Sequence, residues 1–264
     1  MAISNRDKYM ITMVWLLGIF LFWSAMSFFL ENIIRDSMAS SKLPYPHLIF
    51  ITFINNFSRL FEAGMVTFSR AALGFGIGAF IGIVLAVIIS LSKTLERMTF
   101  PYLIASQMIP ILGLAPIIFN IVRDMDLSRI IIAAYITFFP ICVNMVGGLK
   151  SVDQEKKELL YSIASGKFAI YKKLMFPFAM PYLFNGLKIA APLAVTASVL
   201  VDMLGSRGGI GVQILYSLYS NNIDIFWAAV MTSALMGIIS YYIVIMAENI
   251  FVPWKKHLVK KEGA

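Results

Sequence analysis

Six stretches of this 264-residue chain hold enough consecutive apolar residues to cross a lipid bilayer, at about 10–30, 68–92, 98–122, 128–149, 180–204 and 226–252. Crossing ~30 Å of hydrocarbon takes about 20 residues in a helix, because only intrahelical hydrogen bonds satisfy a backbone that has no water. The chain is therefore expected to be an all-α membrane protein with six transmembrane helices. Composition closes the other route: 59% of the residues are hydrophobic and 14% charged, which excludes a water-soluble globule of ordinary make-up. The first stretch is longer than the roughly 7–15-residue apolar core of a secretion signal, and no small-x-small cleavage site follows it. It reads as an uncleaved anchor.

Six spans put both termini on one side, and the Lys/Arg asymmetry says which. With a cytoplasmic N-terminus, seven of the 22 Lys and Arg fall outside (Arg35, Lys42, Arg59, Arg70, Arg123, Arg129 and Arg207) and 15 inside, Lys188 among them. The 14 acidic residues divide evenly, with Glu248 counted inside and Asp202 outside, so the formal excess of +8 is wholly cytoplasmic. This balance describes topology rather than a nucleic-acid footprint, and it places a basic tail, 253–264, in the cytoplasm. The single cysteine, Cys142, permits no intrachain disulfide and no cysteine-based metal site. His47 and His257 are expected in different compartments, so neither a histidine metal site nor a catalytic pair is indicated.

Two connections carry meaning. The outer one, 31–67, contains Leu43-Pro44-Tyr45-Pro46, where proline fixes an extended turn. A helix-like stretch from His47 to about Glu62 follows, apolar enough to lie at the membrane surface, with a simple tether as the other reading. The inner one, 150–179, begins with DQEKKELLYSIA at 153–164, acidic first and with Leu159, Leu160 and Ile163 on one face, the pattern of a short amphipathic helix. Ser165-Gly166 can end it. A second short helix, 167–175, is expected before Phe176-Pro177, with Pro181 opening the fifth span.

That inner segment carries a resemblance. Glu158-Leu159-Leu160-x3-Ala164-Ser165-Gly166, with Tyr171, Phe176-Pro177, Met180-Pro181 and Gly186-Leu187-Lys188, resembles the EAA coupling loop of ABC-importer permeases. Leu43-Pro44-Tyr45-Pro46, IPILGLAPIIF at 109–119, FFPICVNMVGGL at 138–149 and DMLGSRGGIG at 202–211 look like the nitrate/sulfonate/taurine branch of that superfamily. Both usual alanines are leucines here, the usual glycine is Ala164, and Asp202 stands where the family more often has Glu. The resemblance covers roughly 10–252 and implies the type I importer permease fold: one permease domain, working as a pair, in a bacterial cytoplasmic membrane. It implies an ABC ATPase subunit that receives the loop through Glu158, Leu159, Leu160, Ile163, Ala164, Ser165 and Gly166, and an extracytoplasmic solute-binding protein that delivers cargo. No cofactor is expected on this chain, because it has no Gly-x4-Gly-Lys-Ser/Thr run; ATP and Mg would be bound by the partner. Gly74, Gly78 and Gly82 share one helical face inside a span, a spacing for close helix packing rather than phosphate.

The translocation path is expected among spans two to six, where polar side chains and prolines interrupt hydrocarbon. Candidates are Gln107 in the third span, Asn144 in the fourth, and Thr196, Ser198 and Asp202 in the fifth. Polar groups in lipid are costly unless they pair or line water. Asp202 has two readings, lining a gate or pairing with Arg207. The rival class, an ion-gradient-driven transporter or channel, calls for intramembrane charge pairs and repeated halves, and the sequence displays neither. An intramembrane enzyme would need a catalytic constellation among groups that are scarce in these spans.

Overall fold

The computed structural model describes residues 5–35, 38, 42–162, 166–205 and 208–254, which form helices and no strand. Helix α1, Asn5–Phe28, runs on through a wider π-type turn at Phe29–Ile33. Then come α2, Pro46–Asn55, and the long α3, Phe57–Ser90. Helices α4, Lys93–Gln107, and α5, Ile111–Val122, precede α6, Met125–Lys150. A short α7, Gln154–Ser162, leads to α8, Lys167–Met203. The last two are α9, Ile210–Tyr219, and α10, Ile223–Phe251.

Among the described residues, five helical segments are long and apolar enough to cross a membrane: Met10–Ile33, α3, α6, α8 and α10; the count reaches six if α4 and α5 form one span. That pair corrects the expected straight third span at 98–122, since its axis turns by 93° between Gln107 and Ile111. Pro110 causes the break: it lacks an N–H and pushes Ile109 out of the helical region. Pro110 itself is extended, at φ −62° and ψ 128°, and caps α5.

Two further boundaries move. The surface helix expected over 47–62 stops at Asn55, and residues from Phe57 onward belong to α3, which also shortens the expected 31–67 loop. Asn56 interrupts the run because its side-chain amide donates to the Thr52 carbonyl at 3.0 Å and competes with the backbone ladder. The expected short helix 167–175 does not stand apart either; it continues into the fifth span as one 37-residue helix. A π-type turn at Tyr171–Met175 widens the backbone just before Pro177, giving its ring the room that an α-turn denies.

Packing divides the chain into two compact units, Met1–Phe61 with Gln213–Thr232, and Glu62–Val212 with Ser233–Ala264. In the first, the Trp23 indole N–H donates to the Pro44 carbonyl at 3.0 Å and its ring meets Trp227 edge-on at 5.7 Å. The extended Leu43–Pro46 turn is thus fastened, and Pro46 opens α2 where a missing N–H costs nothing.

The second unit is built on α6. A Cβ at Gly74, Gly78 or Gly82 would lie 2.7, 2.7 and 2.6 Å from the carbonyl oxygens of Ile130, Ala134 and Phe138, so α3 rides one turn at a time on bare α6 backbone. Gly186 repeats the device from α8, where a Cβ would stand 2.8 Å from the Pro140 carbonyl. Without a hydrophobic drive between helices in lipid, such contact surfaces supply the packing energy. Ile141, Cys142, Met145, Val146 and Leu149 form the buried centre against Ala179, Leu183 and Ala190 of α8. Tyr135 of α6 donates its hydroxyl to the Ser106 carbonyl and ties down the end of α4 beside the break.

Candidate functional site

Three arrangements in the second unit carry polar chemistry. The first is a charge network at the N-terminal end of α6. Arg129 is 2% exposed and Asp202 fully buried, with Nε and Oδ1 3.2 Å apart. Arg129 also reaches Asp126 Oδ1 at 3.1 Å and donates to the Gly208 carbonyl at 3.1 Å. Thr67 of α3 donates to Asp202 Oδ2 at 2.5 Å while accepting the Ile210 backbone N–H at 2.8 Å. Arg70 clamps Asp126 with two nitrogens at 2.7 and 3.0 Å. Gly209 has φ 119°, and a Cβ there would lie 2.6 Å from the Asp202 carboxyl carbon. Only glycine suits that turn on both counts.

Of the two readings for Asp202, the structure supports pairing, but with Arg129, which the loop count places among the outer charges. Arg207 lies outside the described residues. The signal available in the sequence is Arg129 in the first turn and a half of an apolar span. Arg123 ends α5 in the left-handed region at φ 57° and lines a polar cleft of about 640 Å³ with Arg70, Asp126 and Arg129.

A second pair joins the partly buried Lys188 of α8 to the buried Glu248 of α10, at 16% and 9% side-chain exposure. The loop count places both among the cytoplasmic charges. Together with Arg129–Asp202, this corrects the expectation that the spans carry no charge pairs.

The second arrangement is the 150–179 segment. Helix α7 has no buried residue: Glu158 is exposed, Leu159 is 66% exposed, Tyr161 is 50% exposed and Leu160 is half-buried. Gly166 is exposed, and Phe168, just beyond it, is 79% exposed. Ile163, Ala164 and Ser165 lie outside the described residues. Gln154 donates to Glu158 at 3.1 Å, and Lys156 pairs with Asp153 at 2.8 Å while its ammonium sits 5.3 Å from the Phe178 ring centre. Ser90 and Tyr171 share a hydrogen bond of 3.2 Å between α3 and the start of α8. The helix is therefore anchored at its base, with Leu159 and Tyr161 bare and Leu160 half-buried.

The third arrangement is a cleft of about 680 Å³ between α8 and α10, lined by Pro192, Thr196, Ser233, Gly237, Tyr241 and Tyr242 among others. It takes in one of the expected pathway residues, Thr196, whose hydroxyl donates to the Pro192 carbonyl at 3.1 Å. The remaining candidates are elsewhere. Asn144 bonds back to the Pro140 carbonyl at 2.7 Å, and Gln107 sits at the α4–α5 break beside Ser106. Ser198 is fully buried with no hydrogen-bond partner for its hydroxyl among the described residues. Ser233 and the Tyr241-Tyr242 pair escape the sequence reading; the signal is two adjacent phenols inside an otherwise aliphatic span.

Comparison with known proteins follows the same outline. Residues 78–249 match the family described as binding-protein-dependent transport system inner membrane component. The formylaminopyrimidine transport permease protein ThiX of Halalkalibacterium halodurans is 31% identical over 215 residues, covering 81% of this chain and 86% of that protein. A putative aliphatic sulfonates transport permease protein, SsuC of Bacillus subtilis, is 24% identical over 83% of this chain and 80% of its own. Among solved structures, that of an amino acid ABC transporter with histidines has the same fold at TM-score 0.58 and 13% identity, covering 77% of this chain and 97% of that one. The match across 78–249, in a chain of membrane-crossing helices, means that this protein belongs to the binding-protein-dependent inner-membrane components, the permeases of ABC transporters, in their nitrate/sulfonate branch.

Proposed function

We propose that this permease forms the translocation pathway of an ATP-driven importer and takes its work through the 150–179 segment. The carrying observation is the α7 region: α7 has no fully buried residue and holds Leu159 and Tyr161 in the open, and Phe168 at the start of α8 is open as well. Apolar side chains held out on an anchored helix suit insertion into a partner's groove, with Glu158 setting orientation. In this reading the partner is an ABC ATPase subunit, which binds ATP and Mg; this chain contributes conformational change rather than catalysis. Both termini and the 150–179 segment face the cytoplasm, two copies of the chain pair around the path, and a solute-binding protein docks outside. The cargo is a small solute, either a nitrate-, sulfonate- or taurine-like anion or a vitamin-precursor heterocycle.

The charge pairs Arg129–Asp202 and Lys188–Glu248 are one of the two features that the ion-driven rival calls for. The match of residues 78–249 to the binding-protein-dependent transport components favours the ATP-driven reading over it.

The test uses the permease reconstituted with its ATPase and binding protein. Glu158→Lys is expected to abolish ATP-driven uptake and to weaken retention of the ATPase, with normal membrane insertion. Uptake at the wild-type rate would remove the coupling role. Thiol labelling of Ser165→Cys from the cytoplasmic side only checks the orientation.

A further inference from the structure

We propose that the α8–α10 cleft is a solute-binding subsite of the pathway and that it takes a neutral planar heterocycle, not an inorganic or sulfonate anion. The inference rests on the permease reading above and narrows its cargo.

Depth is the first argument. Gly237 is the midpoint of the 29-residue helix α10. At ~1.5 Å per residue, Ser233 and Tyr241 lie about 6 Å to either side of it, and Tyr242 about 7.5 Å away. A helix centred in ~30 Å of hydrocarbon thus carries all three inside the apolar layer. Tyrosines that anchor a span sit at its two interfaces instead. Phenol hydroxyls at this depth need a partner that lipid does not offer.

Chemistry is the second. Among the described residues, the lining contains no Asp, Glu, Lys, Arg or His. An anion buried against it would lose its hydration and meet no counter-charge, a cost that rises steeply for a full charge. A neutral ring loses far less. It can pack against the Tyr241 and Tyr242 rings, which stand at 79° with centres 5.8 Å apart and so offer both a face and an edge. The two phenol hydroxyls are of the right kind to meet ring nitrogens and exocyclic amines or carbonyls. The space of about 680 Å³ lies within the roughly 300–1,000 Å³ usual for small-molecule sites. Gly237 keeps the floor open, since a Cβ there would meet nothing within 4 Å.

Ala234, exposed on the same wall, is the reporter. The Ala234→Cys permease, in complex with its ATPase in lipid nanodiscs at pH 8, is labelled with N-ethylmaleimide; the native Cys142 is fully buried and sets the background. Competing solutes are 4-aminopyrimidine, uracil and nicotinamide as neutral rings, and nitrate and taurine as the contrast. At least one neutral ring is expected to slow labelling fivefold or more, saturably, with nitrate and taurine changing it less than twofold. Gly237→Leu in the same background should cancel the protection, and Tyr242→Ala should weaken it more than Tyr242→Phe. Protection by nitrate or taurine instead, protection by none of the five, labelling that follows acyl-chain length, or disulfide-linked dimers of the Ala234→Cys chain that exclude every solute would each overturn the proposal. Because protection is read without ATP, it is independent of coupling: normal behaviour of Glu158→Lys sinks the coupling reading alone, and absent protection sinks this one alone.

Discussion

Helix α6 has two ends that treat exposed chemistry in opposite ways. At its start, Arg129 and Asp202 are withdrawn almost completely and matched by Thr67, Asp126 and the Gly208 carbonyl. Past its finish, α7 leaves Leu159 and Tyr161 uncovered. One end uses polar groups to join α3, α6 and α8; the other holds apolar groups where the chain itself has no use for them. The difference teaches where to look for stability and where to look for partners. Substitutions at the first end should act on folding, and those at the second on transport with folding left alone.

The largest effect is expected from Asp202→Ala. It removes the buried counter-charge of Arg129, which keeps the exposed Asp126 and the Gly208 carbonyl, and breaking a buried pair from one side costs up to about 3–5 kcal/mol. Thermal unfolding of the purified permease in detergent measures it. Replacing both members, Arg129→Met with Asp202→Leu, should recover most of the loss, because an apolar pair of similar volume needs no counter-charge. A single variant as stable as the wild type would erase the contrast between the two ends.

A smaller effect is expected from the ladder that holds α3 to α6. Gly78→Leu drives a side chain toward the Ala134 carbonyl, where even a Cβ would lie at 2.7 Å. Backbone cannot swing aside as a flexible side chain does, so overpacking by about 1–3 kcal/mol is the floor. Gly76→Leu is the matched control, since its Cβ meets nothing within 4 Å. The pair should differ in unfolding temperature and in yield of inserted protein; equal values would mean that α3 can slide on α6.

These cases also mark what the sequence made legible. The all-helical, membrane-crossing type could be read because bilayer thickness imposes a length on every crossing helix, and the Gly74-Gly78-Gly82 face could be read because a four-residue repeat of small side chains has few other uses. The 93° turn between α4 and α5 was signalled only by Pro110, and a proline inside a span does not announce whether it bends the helix or breaks it; Pro116 and Pro140 remain inside theirs. Charge bookkeeping by loops did not reveal that Lys188, Glu248 and Arg129 are paired, since counting assumes that charges stay in water, whereas each of these has an opposite charge within reach on a neighbouring helix. Thr196 was visible as a polar residue at depth. Ser233, Tyr241 and Tyr242 were not, because phenols and small hydroxyls look tolerable in an apolar run until the backbone shows them facing one cleft.

The smallest effect on stability, and the sharpest test of the contrast, belongs to Leu159→Asp. Leu159 is 66% exposed, so removing its apolar surface changes little in the isolated chain, within about 0.5 kcal/mol by the behaviour of surface positions. Its unfolding curve should overlay the wild type, unlike that of Asp202→Ala. Transport should behave in the reverse order: a carboxylate set into an apolar groove must be desolvated with no partner, and ATP-driven uptake should fall at least tenfold while basal hydrolysis by the separated ATPase is unaffected. Phe168→Ser should act in the same direction, since Phe168 is another large apolar side chain left bare in this segment. If Leu159→Asp instead destabilised the purified chain by more than a kilocalorie with uptake intact, α7 would be covered within its own subunit, and the two ends of α6 would no longer differ in kind.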